Sequence, residues 1–307
     1  RRRVTTSTPA LNSRIPPLIL NILVKMKNNG KAECTIKDVD KSLFYLSKHA
    51  DLNQPEQIKQ YIANLQAGNG YKHNLCLAYD KYCDYYQIQW ESPIYKRQSR
   101  AIRIPSKAQI EMLTASAGKI LSIKLSISKE TGLRLVELCN LKVKDIDIEQ
   151  RILYPTTAKN GAPRRLKISN SLQATVENHI NTNNLKPEDK LFNGTAEYYG
   201  QTYRMHRNKL AKKLNKPELK TIRLYDFRHY FATTLYAKTR DILLVKQQLG
   251  HKKIETTLIY TQLLNLNDDE WTCKATTNTN EATQLIENGF EYVATTPDAL
   301  MLFRKRK

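Results

Sequence analysis

Residues 91–105, Glu-Ser-Pro-Ile-Tyr-Lys-Arg-Gln-Ser-Arg-Ala-Ile-Arg-Ile-Pro, constrain the fold most. They hold two prolines and lack helical periodicity, while the chain on both sides is periodic. A proline removes a backbone donor and fixes φ, so neither a helix nor a central strand runs through such a stretch. The 307 residues are thereby divided into two parts, each long enough to bury its own core. The stretch reads as an inter-domain linker whose four basic side chains, Lys96, Arg97, Arg100 and Arg103, follow Glu91 without another acid.

Before the linker, residues 1–13 are basic, rich in Ser and Thr and aperiodic, as in a flexible arm. Residues 14–90 read as a small all-α bundle. One helix spans Pro17 to Asn28, and a second starts at Thr35 with Asp38 as a partial capping box and Val39, Leu43 and Leu46 on one face. A third follows Gln54-Pro55 with Ile58, Ile62 and Leu65 at helical spacing, and a fourth runs from Tyr71 to Tyr86 after Gly68-Asn69-Gly70.

After the linker, Ser106 is placed to cap a helix reaching Ala117, followed by a helix from Ile120 to Thr131 and, past Gly132, one carrying Leu135, Leu138 and Leu141. Ile146, Ile148, Ile152 and Tyr154 then precede Lys159-Asn160-Gly161, and Arg165 and Lys167 alternate with Leu166 and Ile168. That pattern predicts two short strands joined by a turn containing Asn-Gly. The chain to Leu264 is mostly helical. Residues 267–307 form a separate extension, with a helix from Glu281 to Asn288 closed by Gly289 and strands at Phe290 to Ala294 and Leu300 to Arg304. Its apolar side chains are too many for a free tail, so it is expected to pack on its own domain or on a neighbouring copy.

Lys and Arg number 50 against 29 Asp and Glu, a net charge of +21 that favours a polyanionic partner, nucleic acid first and a membrane surface or ribosome next. The five cysteines are odd in number and form no CxxC pair, which suggests reduced thiols in an intracellular protein and no zinc site. The apolar stretch Ile15 to Met26 is broken by Pro16, Pro17, Asn21 and Lys25 and is too short to span a bilayer, and no signal peptide is apparent. The chain opens on Arg-Arg-Arg rather than Met, so its natural start is not read from it.

Four stretches carry a resemblance. They are Thr131-Gly132-Leu133-Arg134-Leu135-Val136-Glu137-Leu138, the hairpin holding Lys159, Leu224-Tyr225-Asp226-Phe227-Arg228-His229, and Leu249-Gly250-His251 with Tyr260 nine residues later. In that order they resemble the signature regions of the tyrosine recombinase (phage integrase) family, with a Xer-like and archaeal cast, over about Ser106 to Leu264. The resemblance implies a mainly α fold with a small β-hairpin: a helical core-binding domain over residues 14–90 and a mixed α/β catalytic domain over 106–266, closing as a C-shaped clamp on double-stranded DNA. It also implies a monomer in solution that becomes a tetramer on paired sites, with no cofactor, metal or membrane.

The chemistry explains why these residue types are needed. A phosphodiester repels nucleophiles and gains charge in its pentacoordinate transition state, which two guanidiniums stabilise without a metal. Arg134 and Arg228 match those roles, and Tyr260 matches the nucleophile that forms a 3′-phosphotyrosyl bond and stores its energy for rejoining. Lys159 matches the general acid for the leaving 5′-oxygen, His251 the residue that hydrogen-bonds a non-bridging oxygen, and Glu137 a partner orienting an arginine. Arg164, Arg165 and Lys167 join the four linker bases as DNA contacts. One position departs from the pattern: Tyr225 stands where the family has histidine, and a neutral phenol is a poor base. Water, another side chain or the substrate then takes the proton of Tyr260. His229, adjacent to Arg228, reads as a core or supporting histidine, because neighbouring helical residues point about 100° apart. The rivals are an inactive DNA-binding protein of the same fold and a type IB topoisomerase, which relaxes supercoils.

Overall fold

The computed structural model describes residues 16–96, 102–158, 161–261 and 271–306. The arm at 1–13, Arg97, Arg100, Lys159 and Asn160 lie outside the described residues. The chain divides into two compact units, Arg1–Ala101 and Ile102–Lys307.

The first unit holds four described helices, α1 (Pro17–Asn28), α2 (Glu33–Ser47), α3 (Pro55–Asn64) and α4 (Asn69–Tyr86). Proline at the first position starts both α1 and α3, where its missing N–H costs nothing. The second helix begins at Glu33, ahead of the expected Thr35, with no side-chain cap at Ala32; the partial box at Thr35 and Asp38 lies inside the helix. Ile19, Ile22, Leu43, Leu46, Ile58, Ile62 and Leu75 meet in one core, joined by Tyr79 and Tyr82 of α4.

The second unit begins with α5 (Lys107–Ala115), capped reciprocally by Ser106 and Gln109. Then come α6 (Lys119–Thr131), α7 (Leu135–Asn140), α8 (Asn170–Thr182), α9 (Ala196–Lys213), α10 (Leu224–Thr239), α11 (Ile242–Leu249) and the short α12 (Glu255–Leu258). Gly132 ends α6 at φ 61°, and a Cβ there would lie 2.5 Å from the Phe231 ring of α10, so glycine is required for both conformation and space. Between α7 and α8 lie three strands rather than two: β1 (Ile146–Asp147), β2 (Ile152–Leu153) and β3 (Leu166–Lys167), antiparallel in that order. The first apolar group is split by a tight turn with Arg151 at φ 60°. The segment holding Lys159 is instead the longer connection from β2 to β3.

The C-terminal extension contains α13 (Thr279–Glu287), β5 (Glu291–Thr295) and β6 (Met301–Arg306), close to expectation, and an unanticipated strand, β4 (Trp271–Thr276). Strand β6 lies between β4 and β5, pairing antiparallel with both. Helix α13 packs on this sheet, burying Ala282, Thr276 and Phe303. Among the described residues, no helix is long and apolar enough to cross a membrane.

Candidate active site

Arg134 is the residue preceding α7, and Glu137 closes back on it. The Arg134 backbone N–H donates to Glu137 Oε2 at 3.0 Å, and its Nη1 donates to Oε1 at 2.8 Å. A carboxylate in the first helical turn also faces the positive end of the helix dipole. The Arg134 side chain remains 20% exposed, leaving donors that can reach outward.

Glu137 gathers more than one arginine. Both terminal nitrogens of Arg164 donate to its carboxylate, and the Ala158 N–H adds a bond of 3.2 Å from the segment that leads to Lys159. Burial alone would raise the Glu137 carboxyl, but hydrogen bonds and charge from Arg164 and Arg134 outweigh it and hold the group at about 2. Arg164, expected among the DNA contacts, has a side chain that is 0% exposed and committed to Glu137. The signal was present in the sequence: Arg164, Leu166 and Ile168 share one face of an extended segment and are buried, while Arg165 and Lys167 share the other and are exposed.

Arg228 projects from α10 and is 2% exposed. Its Nη1 donates to Gly132 O at 2.6 Å and its Nη2 to Leu249 O at 2.7 Å. Those carbonyls end α6 and α11, where oxygens have no helical partner and the dipole is negative, so one guanidinium closes two helices. Burial, then the nearby Arg134, draw Arg228 down to about 10, which leaves it charged at neutral pH. Its Nε is buried with no hydrogen-bond partner among the described residues.

His251 follows Gly250, whose φ of 64° ends α11; a Cβ on Gly250 would lie 2.7 Å from Arg164 Nη1. His251 Nε2 lies 3.0 Å from Arg228 Nη2, and Nδ1 lies 2.9 Å from Thr257 Oγ1. A guanidinium can only donate, so Nε2 accepts and Nδ1 carries the proton toward Thr257. Burial, with Arg228 and Arg134 next, pushes the imidazole down to about 4, so it is neutral. While Nε2 accepts from Arg228 it cannot donate to a phosphate oxygen; His251 here holds Arg228 in place.

Tyr260 is 1% exposed and packs against Ala232, Val245 and Leu249. Its hydroxyl lies 3.1 Å from Nδ1 of His229, which is itself buried. One residue apart on α10, Arg228 and His229 point differently, the first to two helix ends and the second to this hydroxyl. The Tyr225 and His229 rings meet in a T-shaped pair with 4.9 Å between centroids, and Tyr225 is 45% exposed. Burial and Tyr225 push the Tyr260 phenol up to about 12 against the opposing pull of Arg228.

Among the described residues this region therefore joins Arg134, Arg164 and Arg228 with the carboxylate of Glu137 and a neutral His251, while the other buried carboxylate, Asp226, is paired with Arg223. That excess of positive charge suits an anion. Lys96, Arg103, Arg165 and Lys167 are exposed. No group of three or more His, Cys, Asp or Glu side chains is gathered among the described residues to hold a metal. The contacts that residue patterns did not reveal are His229 with Tyr260, Thr257 with His251, and Arg228 with the two helix ends.

The chain belongs to the phage integrase family, which matches residues 101–266. It is 30% identical over 189 residues to the tyrosine recombinase XerA of Saccharolobus solfataricus, covering 61% of this chain and 62% of that protein. It is 27% identical over 179 residues to a tyrosine recombinase of Pseudothermotoga lettingae, covering 57% and 60%. The chain thus spans about three fifths of the length of these relatives. Its fold is shared with the Tn1549 transposon integrase in complex with transposon right end DNA, at a TM-score of 0.59 and 16% identity over 88% of this chain and 99% of that one. It is also shared with the XerH site-specific recombinase bound to difH substrate in a pre-cleavage complex, at 0.58 and 20% over 79% of each chain.

Proposed function

We propose that this chain is a site-specific tyrosine recombinase that cleaves and rejoins double-stranded DNA through a 3′-phosphotyrosyl intermediate. The observation that carries this reading is the convergence of Arg134, Arg228, His251 and Tyr260, from distant stretches of sequence, on one buried, cationic region. Tyr260 attacks the scissile phosphate and releases a 5′-hydroxyl. Arg134 and Arg228 stabilise the charge on the non-bridging oxygens, Arg134 with its outward donors and Arg228 through its positive charge beside them. Glu137 and Arg164 position Arg134, and His251 positions Arg228. Lys159 protonates the leaving 5′-oxygen; the flanks of its segment are held beside Glu137 and Arg134, since Ala158 donates to Glu137 and a Cβ on Gly161 would lie 3.2 Å from Arg134 Nη1.

The basic linker and the exposed Arg165 and Lys167 contact phosphates, and four copies assemble around two paired sites from free monomers. The C-terminal extension supports that assembly. The phosphotyrosyl bond conserves the energy of the broken diester, so neither ATP nor a metal enters the cycle and cleavage is expected to persist in EDTA.

The decisive experiment uses a nicked substrate that traps the covalent complex. Tyr260→Phe is expected to bind DNA as the unaltered protein does and to form no adduct on a denaturing gel. An adduct in that variant overturns the assignment, and relaxed circles without rearranged products from two-site substrates would replace recombination by topoisomerase action.

A further inference from the structure

We propose that His229 is the general base that takes the proton of Tyr260 as it attacks DNA, an inference that rests on Tyr260 being the nucleophile. Three observations support it. Position 225 holds a phenol, which does not accept a proton near neutral pH. Tyr260 is 1% exposed, so its hydroxyl is shielded from bulk water. Among the described residues, the hydrogen-bond partner of that hydroxyl is His229 Nδ1 at 3.1 Å, within the range at which a general base acts.

The surroundings of His229 suit the task. The Tyr225 ring packs on it in a T-shaped pair, and Tyr260 faces it from the segment after α12. Burial lowers the affinity of the imidazole for a proton, Asp226 opposes that, and Arg223 and Arg228 reinforce it. His229 is therefore a neutral acceptor at physiological pH, and Asp226 favours the imidazolium once it forms. Asp226 is itself fixed by the backbone N–H and guanidinium of Arg223.

The step balances. The Tyr260 O–H bond breaks and its proton moves to Nδ1, while the phenolic oxygen bonds to phosphorus. The bond from phosphorus to the 5′-oxygen breaks, and that oxygen takes its proton from Lys159. On rejoining, the 5′-hydroxyl returns its proton to Lys159 as it attacks phosphorus, and the imidazolium returns the other proton to the departing tyrosine. An imidazolium is far more acidic than a phenol pushed up to about 12, so transfer is concerted with attack rather than completed before it.

The test measures adduct formation on the trapping substrate and on its 5′-bridging phosphorothiolate counterpart, whose sulfur leaves without needing a proton. His229→Asn keeps an acceptor oxygen near the Nδ1 position but no basicity. It is expected to bind DNA normally, to form adduct ~100-fold more slowly, and to gain nothing from the sulfur substrate, whereas Lys159→Ala is rescued by it. Adduct at the unaltered rate overturns the proposal, and rescue by sulfur would move His229 to the leaving group. Should the variant fail to fold, the unaltered protein on the sulfur substrate still decides: its rate is expected to fall at acid pH, below the ordinary imidazole range because burial holds His229 down, and a flat profile overturns the role. Adduct in Tyr260→Phe would instead refute the nucleophile, a distinct result.

Discussion

Two buried tyrosines, Tyr82 in the N-terminal bundle and Tyr260 in the second unit, have phenols that are pushed up alike to about 12, burial being the largest cause in both. Their partners differ. Tyr82 donates to the side-chain oxygen of Asn53 at 3.0 Å and stacks on Tyr79, whose hydroxyl donates to Leu52 O at 2.7 Å. An amide or peptide oxygen fixes a hydroxyl but takes no proton from it. Tyr260 instead meets an imidazole, with Arg228 nearby to favour its anion. Burial and a raised phenol are thus shared by a packing tyrosine and a candidate nucleophile. What separates them is the acceptor and the charge around it.

The contrast extends to the units as wholes. The core of the bundle is apolar apart from satisfied tyrosines and thiols, whereas the second unit buries Arg164, Arg228 and Glu137. Buried charges are tolerated only when paired or hydrogen-bonded, so the difference can be broken most forcefully at Glu137. Glu137→Gln leaves Arg164 without its counter-charge and is expected to cost ~3–5 kcal/mol of stability in urea unfolding at pH 7. The pH dependence has a definite sign. The folded carboxyl titrates at about 2, below its ordinary 4.5, so its stabilisation is fully present above pH 4.5 and is lost as pH falls toward 2. Glu137→Gln should lack that acid-dependent loss, and unchanged stability would mean that the ion pair is not what holds Arg134.

Arg228→Ala comes next. It is expected to slow adduct formation by ~100- to 1,000-fold while changing DNA affinity far less, because one phosphate contact is a small part of the total. Equal losses in both measurements would reduce Arg228 to a DNA contact. The melting temperature should also fall, since Gly132 O and Leu249 O lose their donor. The smallest effect belongs to the bundle: Tyr82→Phe removes one hydrogen bond, is expected to cost about 1 kcal/mol, and leaves cleavage unchanged. A cleavage defect there would blur the distinction between the two tyrosines.

Much was legible in the order of residues because its causes are local. The bonds of a helix join residues four apart, so Pro17 and Asn28 bound α1 as expected, and Ser106 with Gln109 caps α5 within one turn. The four signature stretches named Arg134, Arg228, His251 and Tyr260 in the same way, as short patterns. The alternation from Arg164 to Ile168 held the burial of Arg164, but a basic residue among basic residues invites the exposed reading.

The rest depends on residues far apart in the chain. Strand β4 exists because Trp271–Thr276 pairs with Met301–Arg306, a partner that no local pattern specifies. Arg228 closes two helix ends only once α6 and α11 are brought beside α10. His229 and Tyr260 stand at fixed positions in the sequence, and helical geometry could say only that His229 points away from Arg228. Whether it met a hydrocarbon, a carboxylate or the candidate nucleophile was decided by the packing of the segment after α12 onto α10, since a hydrogen bond of 3.1 Å is set by tertiary contact and not by spacing along the chain.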